Sequence, residues 1–552
     1  MKTHDEFSDY YADLLDGRYD CVDRIVLNGY FALAQQGGGF RYWWRQLTGS
    51  DATLDQDHVT GMAGRFSRRV HAYVKRRHIP LRHCDPGVRK HELAEPYRPQ
   101  DPTFTGVFLI RVAKAPALVW EVVKSAGGVP HLRRKTPWPY VNHYHFHILD
   151  KDWGHVTLKV SGHPPFGVQV ILNGHEWVER RARKRAVPVM KDGNCFVEGS
   201  DVPALDRLAA SLCDAHAINR LAKVCERWVY TSCLCFALTR DEQARSGFRS
   251  QYSCYQLEYS RNLLFTRGTV LEDVYQGLLD RTRRRLDVPT LRTIFGAKHR
   301  PHRRRRRAQG APRLERVLDG SVYDLTVLKL HFGRLTLKMY DKGARVLRIE
   351  VIVHNVKALR CGKRLEKLSI VLARLQRMVI DFLTVVYAAH RGTLQADALD
   401  TLPLPTQRGA QRLAGVDIQK PRMRAVMEAV LALAPKPAGF TAQDVVEKTR
   451  PLLGSPGAAY TSRQAAYDLA RLRGKTLVER VGAGHRYRAA VPGIQTLAAL
   501  LILREKVLKP VLAGAATPKP SPKPHRSHPL DVHYDNLQQE LRRTFETLGL
   551  AA

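Results

Sequence analysis

Hydrophobic and polar positions change period several times along the chain. Over residues 1–100 the apolar spacing is mainly helical, with DRIVLNGY (23–30) as the one strand-like stretch and the Pro-rich PYRPQDPTF (96–104) closing the region. Over 101–200 the runs GVFLIRV, NHYHFHI, HVTLKV and FGVQVIL, broken by turn residues, predict an antiparallel sheet. Residues 201–290 return to helical spacing, as at Leu205, Leu208, Ala209 and Leu212. A basic loop follows at 291–320. Beyond it YDLTVLKLHFGRLTLKMYDKGARVLRIEVIVHN (323–355) alternates again, predicting a second sheet that, with helices, fills 321–415.

The last quarter reads as three helices and a hairpin. Apolar residues 421–435 make the first helix, Thr441 caps the second, and Thr461 or Ser462 caps a third that stops at Gly474. The stretches 476–481 and 485–489, around Gly-Ala-Gly, pair as a hairpin, so 421–512 is predicted to be a winged-helix domain. Ala466, Leu469, Ala470 and Leu472 are expected to face its core. A Pro-rich linker, 513–530, leads to a C-terminal helix at 531–552, whose Leu537, Leu541, Phe545 and Leu548 form a stripe suited to docking on a protein partner. The expected class is α+β and multidomain.

Charge then narrows the partners. The chain of 552 residues carries 89 Lys and Arg against 52 Asp and Glu, a net +37 that points to a polyanion, while 44% hydrophobic residues exclude a merely disordered basic tail. No apolar run approaches the length of about 18 residues needed to span a bilayer, and the N-terminus lacks a signal-like apolar segment, so no membrane partner and a cytoplasmic location are expected. Nine cysteines, an odd number without a Cys-x-x-Cys pair, fit a reducing compartment; Cys233 and Cys235 are expected as core thiols. From Arg281 to Arg313 there are thirteen Arg and Lys and one acid, Asp287. Its centre, with Arg303, Arg304, Arg305, Arg306 and Arg307, is expected to contact phosphates. In the winged helix, Arg463, Gln464 and Tyr467 are expected at base edges, and Arg486 and Arg488 on the wing at phosphate.

Two clusters suggest chemistry. On the last strand of the second sheet Arg348 and Glu350 share a face beside the turn residues Tyr340, Asp341 and Lys342, a group suited to a phosphate, a divalent metal or a plain cross-strand ion pair. Six of the 23 histidines, at 143, 145, 147, 155, 163 and 175, fall within 33 residues, and those at 143, 145 and 147 alternate along one strand face. Tyr255 and Tyr259, four apart, are expected on a helix. Asn173-Gly-His-Glu176 opens a basic amphipathic helix; there Glu176 serves either the helix dipole or as a metal ligand.

Tyr340-x-Lys342 followed by Leu347-Arg-x-Glu350 resembles the strand-turn-strand of rolling-circle replication initiators. The whole of 20–430 resembles a large group of bacterial proteins with blocks similar to DRIVLN (23–28), NGHE (173–176) and the Tyr340/Arg348 pair. His145-Phe-His147 resembles the His-hydrophobic-His strand of HUH endonucleases, and Tyr255-x-x-x-Tyr259 the tyrosine pair of two-tyrosine initiators, although Asn262 stands where a lysine is usual. The resemblance implies a metal-dependent endonuclease or strand transferase, with Tyr255, Tyr259, Tyr340 and Lys342 as catalytic candidates. Candidate ligands for Mg or Mn are His145, His147, Glu176, Asp341 and Glu350. The expected function is DNA processing for a bacterial mobile element; a non-enzymatic winged-helix regulator, or an RNA-binding protein acting with a structured RNA, is the alternative.

Overall fold

The computed structural model describes residues 4–84, 92–124, 130–197, 199–283, 328–332, 334–342, 344–391, 398–436, 438–453 and 460–504, with a few positions between 532 and 543. Arg303 to Arg307, the Pro-rich linker and most of the C-terminal helix lie outside the described residues. Helices and strands are mixed around a large sheet, consistent with the α+β class. The chain forms two compact units. One comprises Leu15–Phe265 and Arg334–Gln376, the other Met1–Leu14, Thr266–Gly333 and Arg377–Ala552.

Nine strands of a ten-stranded sheet lie in the first unit. They are β1 (Leu15–Tyr30), β2 (Leu81–His83), β3 (Gly106–Pro116), β4 (Tyr140–Asp150), β5 (Gly154–Ser161), β6 (Val168–Leu172), β7 (Gln251–Phe265), β8 (Leu335–Lys342) and β9 (Val346–Val353). Their order is β8-β9-β7-β1-β6-β5-β4-β3-β2, antiparallel throughout except for β2 beside β3. The two sheet regions read separately from the sequence are therefore one sheet, joined through β1 and β7.

The strand-like stretch 23–30 is the second half of β1, while its first half and the whole of β7 escape a reading by periodicity, because a bulge interrupts each strand. In β1 the residue pairing passes from Val22–Tyr259 to Arg24–Glu258, leaving Asp23 as an extra bulge residue; in β7 it passes from Val26–Gln256 to Leu27–Cys254, leaving Tyr255 as the extra one. A bulge shifts the two-residue period by one, so alternation is lost to any window that crosses it. Residues 251–265 are thus a strand at the middle of the sheet and not the helix expected from the Tyr255/Tyr259 spacing.

The sheet has one apolar and one polar face. Ile25, Leu27, Val170, Leu158, Phe146, Ile148, Ile349 and Val351 are buried on the first. Helix α1 (Gln56–Arg77) packs there, with Phe66 ring centroids 5.2 Å from Tyr144 and 5.8 Å from Phe166. Each such aromatic contributes roughly 1.5–3 kcal/mol by burial, which holds the sheet against its cover. Register places the other face from Lys338, Tyr340 and Lys342 through Arg348 and Glu350, Glu258, Ser260 and Asn262, Arg24 and Asn28, Gln169, Lys159, to His143, His145, His147 and Arg111. That polar face carries the candidate chemistry.

In the second unit, α5 (Pro421–Leu433), α6 (Ala442–Thr449) and α7 (Ser462–Gly474) precede a hairpin of Val478–Arg480 and Tyr487–Ala489. Earlier helices of the first unit are α2 (Gly174–Lys184), α3 (Val202–Ala210) and α4 (Ala215–Val229). Phe440, between α5 and α6, exchanges two 2.8 Å backbone hydrogen bonds with Tyr487. Thr441 and Thr461 cap α6 and α7 with capping boxes. Ala465, Leu469 and Leu472 face the core, whereas Ala466 is exposed, so the inward face of α7 is turned one residue from the expected one. Among the described residues no helix is long and apolar enough to cross a membrane.

Candidate functional site

The site begins at the β1 bulge. A bulge re-aims the extra side chain, and Asp23 there is buried against β7 and β9. Its Oδ1 accepts from Ser260 Oγ at 3.0 Å, and its Oδ2 lies 2.6 Å from Arg348 Nη2. Arg348, wholly buried, also donates through Nη1 to Asn262 Oδ1 and to the Asn194 carbonyl, both at 2.9 Å. Asn262 Nδ2 donates to Ser260 Oγ at 3.0 Å, so two neighbouring polar residues of β7 tie the guanidinium and the carboxylate together.

Helix α2 closes the site from above. Asn173 caps it, accepting from the His175 backbone N–H at 2.8 Å. A Cβ at Gly174 would stand 2.0 Å from the Val22 carbonyl oxygen, so only glycine lets the helix start this close to β1. His175 is fully buried, with Nδ1 3.3 Å from Asp23 Oδ1 and its ring 5.3 Å from Phe196 and 6.0 Å from Tyr19. Burial, with Arg348 adding to it, pushes its pKa well down and keeps the ring neutral. The Tyr19 hydroxyl accepts from Phe196 N–H at 2.8 Å, which fixes the short hairpin 191–196 against the cluster.

Toward the open side of the face Lys338, Tyr340 and Lys342 are only half-buried. Tyr340 stands opposite Arg348 in the β8–β9 register, and Lys338 opposite Glu350. Lys338 Nζ donates to Glu350 Oε2 at 2.9 Å, and Arg348 Nη2 is 3.6 Å from Glu350 Oε1. Lys342 Nζ donates to Asn194 Oδ1. Burial and Arg348 lower the Lys342 pKa, and burial raises that of Tyr340. Burial would raise Glu350, but Arg348 and Lys338 outweigh it and hold it ionised. Asp23 is pushed up to about 7 by burial, with Arg348 opposing and Glu350 adding to the rise. A buried carboxyl, held by Arg348 and Ser260, therefore sits behind a phenol and two lysines.

This arrangement joins the three sequence blocks around Asp23, His175 and Tyr340–Glu350, but it does not assemble the expected metal ligands. Asp341 pairs with Leu347 in register and faces away from Glu350. Glu176 is held by Lys191 at 2.5 Å and Arg98 at 3.0 Å, and burial, overridden by those cations, leaves its pKa at about 2. His145 is flanked in register by Arg111 and Lys159, cations that repel a metal ion. His147 Nδ1 lies 3.2 Å from His155 Nε2 and 3.3 Å from Thr157 Oγ1. Five strand spacings, about 24 Å, separate β4 from β9. Among the described residues no group of three or more His, Cys, Asp or Glu is arranged to hold a metal ion. The residues do not fit the Mg or Mn site expected of them.

The tyrosine pair is also divided. Tyr259 is buried on the apolar face, donating to Asp20 Oδ2 at 2.8 Å beside Arg261, while His145 and His147 are on the polar face. Tyr255 is the exposed bulge residue. Strand alternation over 258–262 puts Glu258, Ser260 and Asn262 in one polar row, a signal blurred in the sequence because Tyr259 and Arg261 on the opposite face are polar too. In the second unit Arg463 is exposed at the start of α7. Gln464 Oε1 accepts the Thr461 N–H at 2.9 Å and the Tyr467 hydroxyl accepts from Ala414 N–H at 3.5 Å. Arg486 donates to the carbonyls of Ala438 at 3.3 Å and Gly439 at 3.4 Å, and Arg488 is half-buried. Cys233 is buried as expected, and Cys235 is exposed.

No protein-family model matches the chain, and neither a curated protein nor a solved structure is significantly similar to it. The fold and site define a mixed α and β protein whose large sheet presents a polar, ionic face.

Proposed function

We propose that the protein binds nucleic acid, DNA in preference to RNA, and nicks a strand, as a mobile-element initiator or transposase does. The observation that carries this reading is the convergence of Tyr340, Lys342 and Arg348 on one half-open sheet face with the carboxylates Asp23 and Glu350. Phosphodiester attack by a tyrosine needs a phenol, cations for the phosphate charge and a proton acceptor. Of the four catalytic candidates Tyr340 and Lys342 have that setting. The Tyr340 oxygen would bond to phosphorus, the phosphorus–sugar oxygen bond would break, and the phenolic proton would pass to the departing sugar oxygen, which leaves as a hydroxyl.

The test is retention of label. Denaturing the protein after incubation with labelled single-stranded DNA, with and without Mg²⁺ or Mn²⁺, should leave label attached to it. Tyr340→Phe should abolish the adduct and spare binding, whereas Tyr259→Phe should leave the adduct in place. Adduct formation that survives Tyr340→Phe assigns the nucleophile elsewhere.

A non-enzymatic DNA-binding regulator is the second reading, favoured by the helix trio and hairpin of the second unit, which we read as a winged helix with Arg463 at its exposed recognition-helix start. DNA binding without any adduct supports it.

A further inference from the structure

A second feature of the polar face lies away from Tyr340. Five residues beyond Asp23 on β1, roughly 17 Å along the strand, Asn28 opens a recess of about 580 Å³ between β1, β4, β5 and β6. That volume is in the range of small-ligand sites. Among the described residues that line it there is no Asp or Glu, while Lys159 and Lys363 supply two positive charges. An anion is therefore favoured in it.

Its neutral groups have defined directions. Gln169 Nε2 donates to Asn28 Oδ1 at 3.1 Å, so Asn28 retains its amide N–H groups as donors and Gln169 its carbonyl as an acceptor. Such a pair matches the alternating edge of a nucleobase. His143 Nδ1 is 3.1 Å from the Val141 carbonyl, so it carries the hydrogen and leaves Nε2 as a further acceptor. The Lys363 ammonium stands over the Tyr30 ring, 5.5 Å from its centroid.

We infer that this recess binds one nucleotide, its base against the Asn28–Gln169 pair and its phosphate against Lys159 and Lys363. The inference rests on the nucleic-acid reading and adds a base-reading subsite to it. The nucleotide is either free or one residue of a bound strand, and the two sources are distinguishable.

Calorimetric titration of the full-length protein with the four deoxynucleoside monophosphates, with a deoxynucleoside and with inorganic phosphate tests it directly. At least one nucleotide should bind about tenfold or more tightly than the nucleoside or phosphate, and Lys159→Ala with Lys363→Ala should weaken it by about tenfold or more. Gly167→Leu supplies a second route, because Gly167 lines the recess and a Cβ there meets no atom within 4 Å. It should block nucleotide binding while the melting temperature is unchanged. Phosphate binding as tightly as every nucleotide, or nucleotide affinity unchanged in both variants, overturns the inference. Labelled oligonucleotide separates the two readings. Strand binding unaffected by Gly167→Leu, with no nucleotide bound, sinks the subsite alone. Nucleotide binding without strand binding sinks the nucleic-acid reading and leaves a free-nucleotide site.

Discussion

Glu176 illustrates how one side chain can look functional in sequence and be structural in the fold. It opens a helix, where a carboxylate suits the dipole, but its ionisation is set by its neighbours. Burial alone would raise its pKa; Lys191 and Arg98 override that and hold it at about 2. A depressed carboxylate pKa contributes stability that is present above the unfolded value and lost as pH falls through the folded one. From an ordinary 4.5 to about 2 the contribution is about 3 kcal/mol. Glu176→Gln should therefore be less stable than the parent above pH 4.5, with the difference vanishing toward pH 2. Chemical-denaturation midpoints measured across that window check it; parallel profiles would remove Glu176 from the acid response.

At the level of elements, the site depends on how closely α2 approaches β1. Asn173 starts the helix and Gly174 permits its contact with Val22, which delivers His175 to Asp23. Gly174→Ala should cost roughly 1–3 kcal/mol, since the methyl meets backbone that cannot yield easily. Gly61→Ala, in the exposed middle of α1 with nothing within 4 Å of the new Cβ, should instead stabilise by about 0.5–1 kcal/mol. Opposite signs in thermal melts of these two variants are the expected result. An unchanged or raised melting temperature for Gly174→Ala would mean that the close approach at Gly174 is not what limits the site.

For the whole molecule the dominant property is charge. The excess of +37 is concentrated in part between Arg281 and Arg313, a segment that duplex or single-stranded nucleic acid would neutralise through its phosphates. Replacing Arg303 to Arg307 with Ala should weaken affinity for all sequences alike. It should also flatten the dependence of log K on log salt by about 0.9 for each duplex phosphate that the protein no longer neutralises. Binding isotherms at several salt concentrations read that slope, and an unchanged slope would assign the block another role.

What the sequence determined by itself was local. It determined the apolar helices, the capping threonines Thr441 and Thr461, the β8–β9 hairpin with Arg348 and Glu350 on one face, and the basic balance, because each follows from periodicity or composition within a short window. Tertiary structure alone decided which of these met. Pairing of β1 with β7, residues more than two hundred positions apart, carries Asp23 to Ser260 and Arg348, and no local pattern encodes that register. The same pairing holds Tyr259 on the apolar face, and the β8–β9 register turns Asp341 away from Glu350, since a strand alternates its side chains. Residue types could nominate the chemistry; side-chain direction, set by bulge and register, decided which nominees share a site.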